Sequence, residues 1–270
     1  RFDEESNIVW ARTLEQAGVH VVYGLIGLKT HAKCLLVVRR EKGKLRRYAQ
    51  LGTGNYNSTT GRLYTDISYL TAKPDICEDV SSLFNLLTGY SAPPKWNKVI
   101  VAPLGLHEAV LGLIQREAEH ARNGRPARIV AKMNALVDAD VIEALYRASQ
   151  DGVSITLLVR GICGLRPGVP GVSETIEVRT IVDRFLEHSR IYYFGNAGDP
   201  LVYVGSADLM DRNLSRRVEV LFPLEQPDLK NRVIKEILEV SLSDNTKARE
   251  LQPDGSYKRI YPPEGGPAIS

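Results

Sequence analysis

The sequence predicts an α/β protein made of two related halves, with mixed sheets flanked by helices, and three observations carry that expectation. Amphipathic stretches alternate with short apolar runs along the chain. A Ser/Pro break at Ser91-Ala92-Pro93-Pro94 divides it. A set of chemical landmarks recurs in the same order on either side of that break. The expected organisation is a first domain over residues 1–95, a second over 96–252 and a loose Pro/Gly-rich tail over 253–270.

The elements follow in order. Residues 4–17 read as a helix with Ile8, Val9, Leu14 and Ala17 as its apolar stripe, closed by Gly18. Residues 19–23, 31–38 and 45–51 read as strands, the last two joined by the hairpin Glu41-Lys42-Gly43-Lys44. Residues 75–89 read as a helix. In the second half, strands are expected near residues 99–101, 127–133, 153–159, 175–182, 190–194 and 201–204, and helices over 107–121, 138–149 and 229–242. Residues 160–171 form a Gly/Pro-rich loop that lacks the Lys-Ser/Thr ending of a P-loop.

Bulk properties narrow the class without naming a partner. The chain has 270 residues and a formal net charge of +3, which neither demands nor excludes an anionic ligand. Cys34, Cys77 and Cys163 form no CxxC pair, which fits a reducing, cytoplasmic compartment rather than a disulfide framework. No run is long enough to span a membrane and the N-terminus is no signal peptide, while peripheral membrane association stays open. The missing initiator Met implies a fragment or a processed product.

The recurring landmarks carry the chemistry. Gly18-Val19 and Gly152-Val153 each lead into an apolar run, and the triplets His31-Ala32-Lys33 and His188-Ser189-Arg190 follow. Next come the turns Gly52-Thr53-Gly54-Asn55 and Gly205-Ser206-Ala207-Asp208, then the acids Asp66 and Glu219. Residues two apart in a strand share a face, so His31 with Lys33, and His188 with Arg190, would present an imidazole beside a cation. A neutral imidazole can attack phosphorus while the cation holds phosphate oxygens. If the halves pack face to face, one histidine attacks and the other protonates the leaving oxygen. Each ring needs its second nitrogen bonded to fix the tautomer, and Asp66 and Glu219 are the candidates. His20, His107 and His120 lack a repeat partner and read as structural. The cations Arg39, Arg40, Lys42, Lys44, Arg46 and Arg47 suit either a polyanion site or a solvated hairpin tip.

The two His-x-Lys/Arg triplets with their downstream Gly-Thr/Ser turns resemble the phospholipase D superfamily. Gly27-Leu28-Lys29-Thr30-His31-Ala32-Lys33, Leu51-Gly52-Thr53-Gly54-Asn55-Tyr56-Asn57 and Arg62-Leu63-Tyr64-Thr65-Asp66 resemble more specifically the histidine-phosphorylated polyphosphate kinase family. So do Leu158-Val159-Arg160-Gly161-Ile162-Cys163, Arg184-Phe185-Leu186-Glu187-His188 and Ser206-Ala207-Asp208-Leu209-Met210, and the similarity runs from Arg1 to about Tyr257. The resemblance implies two phospholipase-D-like domains, the first incomplete, and a reversible phosphoryl transfer between ATP and inorganic polyphosphate with Mg²⁺. It implies His31 as the phosphohistidine nucleophile and His188 as the second histidine, facing it and contacting nucleotide phosphates. It places Tyr64 and Arg160 at ATP-contacting positions, and Arg1 at the Mg²⁺–phosphate position, where a guanidinium suits phosphate better than metal. It implies a homo-oligomer in the full-length protein and no nucleic-acid partner. Gln50 stands where some members carry a histidine, so that histidine's role does not transfer. The alternatives are a phospholipase-D-like phosphodiesterase or nuclease, and a non-catalytic polyanion-binding module.

Overall fold

A computed structural model describes residues 4–89 and 95–270. The first half runs α1 (Glu4–Gln16), β1 (Lys29–Thr30), β2 (Lys33–Glu41), β3 (Lys44–Gly52), β4 (Tyr64–Thr65), β5 (Ser68–Thr71) and α2 (Pro74–Leu87). The second half runs β6 (Ile100–Ala102), α3 (Leu106–Arg122), β7 (Arg128–Met133), α4 (Ala139–Gln150), β8 (Ser154–Val159), β9 (Ile176–Ile181), β10 (Leu186–Glu187) and β11 (Arg190–Phe194). It continues through β12 (Leu201–Gly205), α5 (Asp211–Ser215), β13 (Arg217–Pro223), α6 (Pro227–Arg232), a π-helical stretch Val233–Leu238, α7 (Glu239–Ser243), β14 (Ala248–Leu251) and β15 (Tyr257–Arg259). The break at residues 91–94 and Arg1 lie outside the described residues.

One large mixed sheet organises the molecule, in the order β1-β13-β12-β11-β7-β8-β9-β14-β15 with β6 also on β13. Alternation along its strands sorts two cores. Ile129, Ala131 and Met133 of β7 and Ile155, Leu157 and Val159 of β8 pack under α3 and α4, whose inward residues include Val110, Ile114, Val141 and Leu145. Val130, Leu158, Ile191 and Val204 point to the other face. There they meet Ala49 and Leu51 of β3, Ile76, Val80 and Leu83 of α2, and Val233 and Leu238 of the late helix. The first half is thus a layer laid on the second half's sheet. Its own sheet is β2-β3-β5. Lys42 and Gly43 both take positive φ (47° and 78°), as a two-residue hairpin turn with the strands' twist requires.

Several expectations change. Residues 19–23 form no strand: Val19, Val22 and Tyr23 are exposed, and among the described residues no strand lies beside them. Their repeat counterpart β8 is held between β7 and β9, so apolar, β-branched sequence is not enough without a pairing neighbour. The stripe of α1 is open too, with Ile8, Val9 and Leu14 at 48, 59 and 44% exposure. His31 and His188 are not strand residues. β2 begins at Lys33 and β11 at Arg190, so neither histidine shares a strand face with its cation as expected. The chain from residue 253 is tied down. β15 pairs with β14, and the Asn245 and Ile269 main chains bond at 3.0 Å.

Candidate active site

Each histidine follows a two-residue strand that pairs, in parallel, with the residues just before the other half's acid, which lies within β13 in one case and directly after β4 in the other. In β1, Thr30 stands opposite Val218 of β13, so His31 comes beside Glu219. In β10, Glu187 stands opposite Thr65 of β4, so His188 comes beside Asp66. The same register operates twice and it crosses the halves. His31 Nδ1 lies 2.9 Å from each oxygen of Glu219. His188 Nδ1 lies 2.7 Å from Asp66 Oδ1. The two acids are the expected ones, each serving the ring of the opposite half.

The turns hold the acids by one device used twice, with hydroxyl and acid 13 residues apart in each copy. Thr53 Oγ1 donates to Asp66 Oδ1 at 2.6 Å and accepts from the Ile67 N–H at 2.9 Å, while the Thr53 N–H bonds the Ile67 carbonyl at 3.0 Å. Ser206 Oγ donates to Glu219 Oε2 and accepts from the Val220 N–H at 3.1 Å, while the Ser206 N–H bonds the Val220 carbonyl at 2.9 Å. Gly54 is required beside this device, because a Cβ there would stand 2.5 Å from the Asp66 carboxyl.

Electrostatics separates the groups. Burial holds the His31 imidazole below its ordinary pKa, only partly offset by Glu219, with Lys33 and Arg217 adding to the depression. At neutral pH the ring is then neutral, Nδ1 donates to the carboxylate, and the Nε2 lone pair is left as a nucleophile. Lys33 is 5% exposed, donates to the His31 carbonyl at 2.5 Å, and is pushed down to about 8, chiefly by burial. Glu219, Arg190, Arg217 and Asp66 all act on Lys33, so charges from both halves meet in one neighbourhood. Burial works to raise Asp66, but hydrogen bonds from His188 and Thr53 outweigh it and keep the carboxyl below its usual range.

The second histidine is more enclosed. Arg190 Nη1 donates to His188 Nε2 at 3.1 Å and to its carbonyl at 2.7 Å, while Nε and Nη2 grip Asp208 at 3.2 and 3.1 Å. The Tyr64 ring lies 4.9 Å from the imidazole, centroid to centroid. Arg160 Nε donates to Asn134 Oδ1 at 2.7 Å, and the Asn134 N–H donates to Asp208 at 2.7 Å. Arg160, Asn134, Asp208, Arg190, His188 and Asp66 therefore form one chain of contacts.

Every expected residue among those described falls into this neighbourhood: His31, Lys33, Tyr64, Asp66, Arg160, His188, Arg190 and Glu219. Sequence reasoning missed Lys132, Asn134, Glu187 and Asn213. Lys132 is 3% exposed, pairs with Glu187 at 2.7 Å and donates to Ser189 Oγ at 2.9 Å, so it fixes both neighbours of His188. Asn213 Nδ2 donates to Glu219 Oε1 at 2.7 Å. A lysine inside the otherwise apolar run Ile129-Val130-Ala131-Lys132-Met133 was the available signal for the first. Gln50 bonds Ser68 at 2.7 Å and Tyr56. Among the described residues one group outside this neighbourhood has metal-ligand types, His107, Asp138 and Asp140 at the starts of α3 and α4, but Asp138 already caps α4 through the Val141 N–H at 3.1 Å.

Comparison with known proteins agrees over nearly the whole chain. Residues 1–93 match the family model described as polyphosphate kinase C-terminal domain 1, and residues 99–268 match C-terminal domain 2. The polyphosphate kinase of Thermosynechococcus vestitus is 57% identical over 265 residues, which is 98% of this chain and 36% of that protein. The polyphosphate kinase of Neisseria gonorrhoeae is 56% identical, over 98% of this chain and 39% of that protein. The crystal structure of polyphosphate kinase from Porphyromonas gingivalis superposes with a TM-score of 0.91 at 39% identity, covering 98% of this chain and 41% of that one. The chain thus spans little more than a third of the length of the curated relatives it matches.

Proposed function

The chain belongs to the polyphosphate kinase family, and from that premise we propose that it forms the catalytic region of an ATP:polyphosphate phosphotransferase working through a phosphohistidine. The observation that carries this reading is the crossed pair of imidazoles, each held at Nδ1 by the other half's carboxylate. Residues 1–95 and 96–252 act as its two catalytic domains, a division supported by the family models' own boundary.

In the first step His31 Nε2 attacks the terminal phosphorus of ATP, the bond from phosphorus to the bridging oxygen breaks, and ADP leaves. Glu219 fixes the tautomer and stabilises the positive charge that grows on the ring. In the second step a terminal oxygen of polyphosphate takes the phosphoryl group and returns His31 to its starting state. Lys33, Arg190 and Arg160 hold phosphate oxygens, and Tyr64 stacks on the base. His188 contacts the nucleotide phosphates and serves the leaving oxygen, oriented by Asp66.

Mg²⁺ belongs to this proposal as a partner of the nucleotide's phosphates, whose charge it offsets. The site itself is a poor cage for it. Asp66 and Glu219 are bonded to histidines and Asp208 to Arg190. Arg1 belongs with the phosphates in the same way. ATP, ADP and polyphosphate are the partners, with homo-oligomerisation of the longer protein in the cytoplasm. Among the described residues no helix is long and apolar enough to cross a membrane.

The test uses the complete protein. Incubation with γ-labelled ATP yields an acid-labile, base-stable phosphoprotein, and full labelling of His31→Ala would remove the proposal. ADP plus polyphosphate yields ATP, which a phosphodiesterase or a mere polyanion binder does not make.

A further inference from the structure

The β2–β3 hairpin concentrates charge for which the histidine site has no use. β5 pairs with β3 only over residues 49–52, so beyond it the two strands project together to the Lys42–Gly43 turn. This ribbon carries Arg39, Arg40, Lys42, Lys44, Arg46 and Arg47 against one carboxylate, Glu41, in a chain whose formal net charge is +3. Everything outside the ribbon is therefore net acidic. Arg39 and Arg46 approach Glu41 at 3.5 and 3.6 Å, and Tyr48 donates to it at 3.1 Å. Among the described residues Arg40, Lys42, Lys44 and Arg47 have no anionic partner. Like charges crowded on a two-stranded ribbon repel, and a bridging anion relieves that repulsion.

The ribbon is aligned with the site. Lys33, Leu35, Val37 and Arg39 lie along one face of β2, and Arg46 is directly opposite Arg39. At ~3.3 Å per residue, Arg39 stands about 20 Å from Lys33. The ground between carries no charge: Leu35, Val37 and Leu70 are exposed at 47, 41 and 75%, with Tyr48 and Gln50 among them. The molecule thus offers two cationic stations with a gap, not a continuous track.

The geometry points to a distal anchor: the outer ribbon grips the far part of the polyphosphate whose end is at His31, and it grips only chains long enough to bridge both stations. This rests on the phosphotransferase reading above. Alignment with Lys33 favours a linear inorganic polyanion over nucleic acid or an anionic membrane, neither of which needs it.

The experiment takes the protein as the cell makes it and compares wild type with R39Q/R40Q/R46Q/R47Q, assaying ATP formation from ADP with long-chain polyphosphate or with tripolyphosphate. The expected result is a KM for the long chain raised about tenfold or more, with its log–log salt dependence flattened by about 3, since four cations no longer release counterions. The kcat and the KM for tripolyphosphate stay put, and the all-lysine version of the four sites keeps the long-chain KM. An unchanged long-chain KM, or an equal rise for both substrates, overturns the anchor. So does a loss confined to binding of duplex DNA or phosphatidylserine vesicles. If wild type makes no ATP from either substrate, the phosphotransferase reading has failed, and direct binding of long-chain polyphosphate to the two proteins still decides the anchor.

Discussion

Among the described residues no hydrogen bond reaches Nε2 of His31, whereas Nε2 of His188 accepts from Arg190 at 3.1 Å. The acids differ in the same sense. Glu219 is fully buried and takes bonds from His31, Ser206 and Asn213, shared between both oxygens. Asp66 has a side chain 22% exposed, and His188 and Thr53 both bond to its Oδ1. One plan has therefore been built in a fixed and an adjustable version. The fixed version holds a single tautomer with its lone pair free, as a nucleophile needs. The adjustable version has its Nε2 engaged by Arg190, and in the proposed mechanism it exchanges that bond for one to substrate.

The sharpest way to break this comparison is to remove each ring. His31→Ala is expected to abolish phosphoprotein formation and lower turnover by about 10⁴-fold or more, while His188→Ala leaves slow labelling detectable. A quenched-flow burst with labelled ATP reads both, and equal labelling would erase the distinction. The acids come next. Glu219→Gln is expected to slow phosphorylation about 10²- to 10⁴-fold and Asp66→Asn about 10- to 10²-fold, because only the first spoils the tautomer of the attacking ring. A larger cost for Asp66→Asn would reverse the assignment of roles.

Lys33 gives a subtler handle. Its protonated form is present below about 8 and lost above it, so kcat/KM is expected to fall through an alkaline limb near that value. Lys33→Arg moves the limb up by more than a unit, since a guanidinium does not titrate there. On the acid side the fall sets in below the ordinary imidazole value, because burial depresses His31. At the glycine turns, Gly54→Ala pushes a methyl against the Asp66 carboxyl and should reduce turnover, whereas Ala207→Gly, at the corresponding place, should not. The smallest effect is on stability. Asn213→Ala leaves Glu219 Oε1 one donor short and is expected to cost about 1–3 kcal/mol in denaturant unfolding.

The residues of this site were largely legible and their arrangement was not. Repetition alone picked out His31, His188, Asp66 and Glu219, since each is fixed by its place among similar landmarks. Which acid serves which ring depends on contacts 188 and 122 residues apart, and no local pattern records them. The strands that make the crossing, β1, β4 and β10, are two residues long and show no periodicity at all. β13, which joins both halves, was hidden behind the charged Arg216-Arg217 and the buried Glu219 in its own sequence. The opposite error occurred at residues 19–23, where the pattern was convincing and no neighbouring strand lies among the described residues. Long helices such as α3 and α4 were read to within a residue or two, because a 3.6-residue stripe facing a sheet needs no distant partner to be seen.

The crossed register makes the two halves depend on one another. A unit that owns one histidine and one acid, arranged as in either half, cannot bring its own acid to its own ring. It reaches a complete pair only when a second unit faces it. This chain carries both units of such a couple in one polypeptide. Parting the halves would strip both imidazoles of their Nδ1 partners at once.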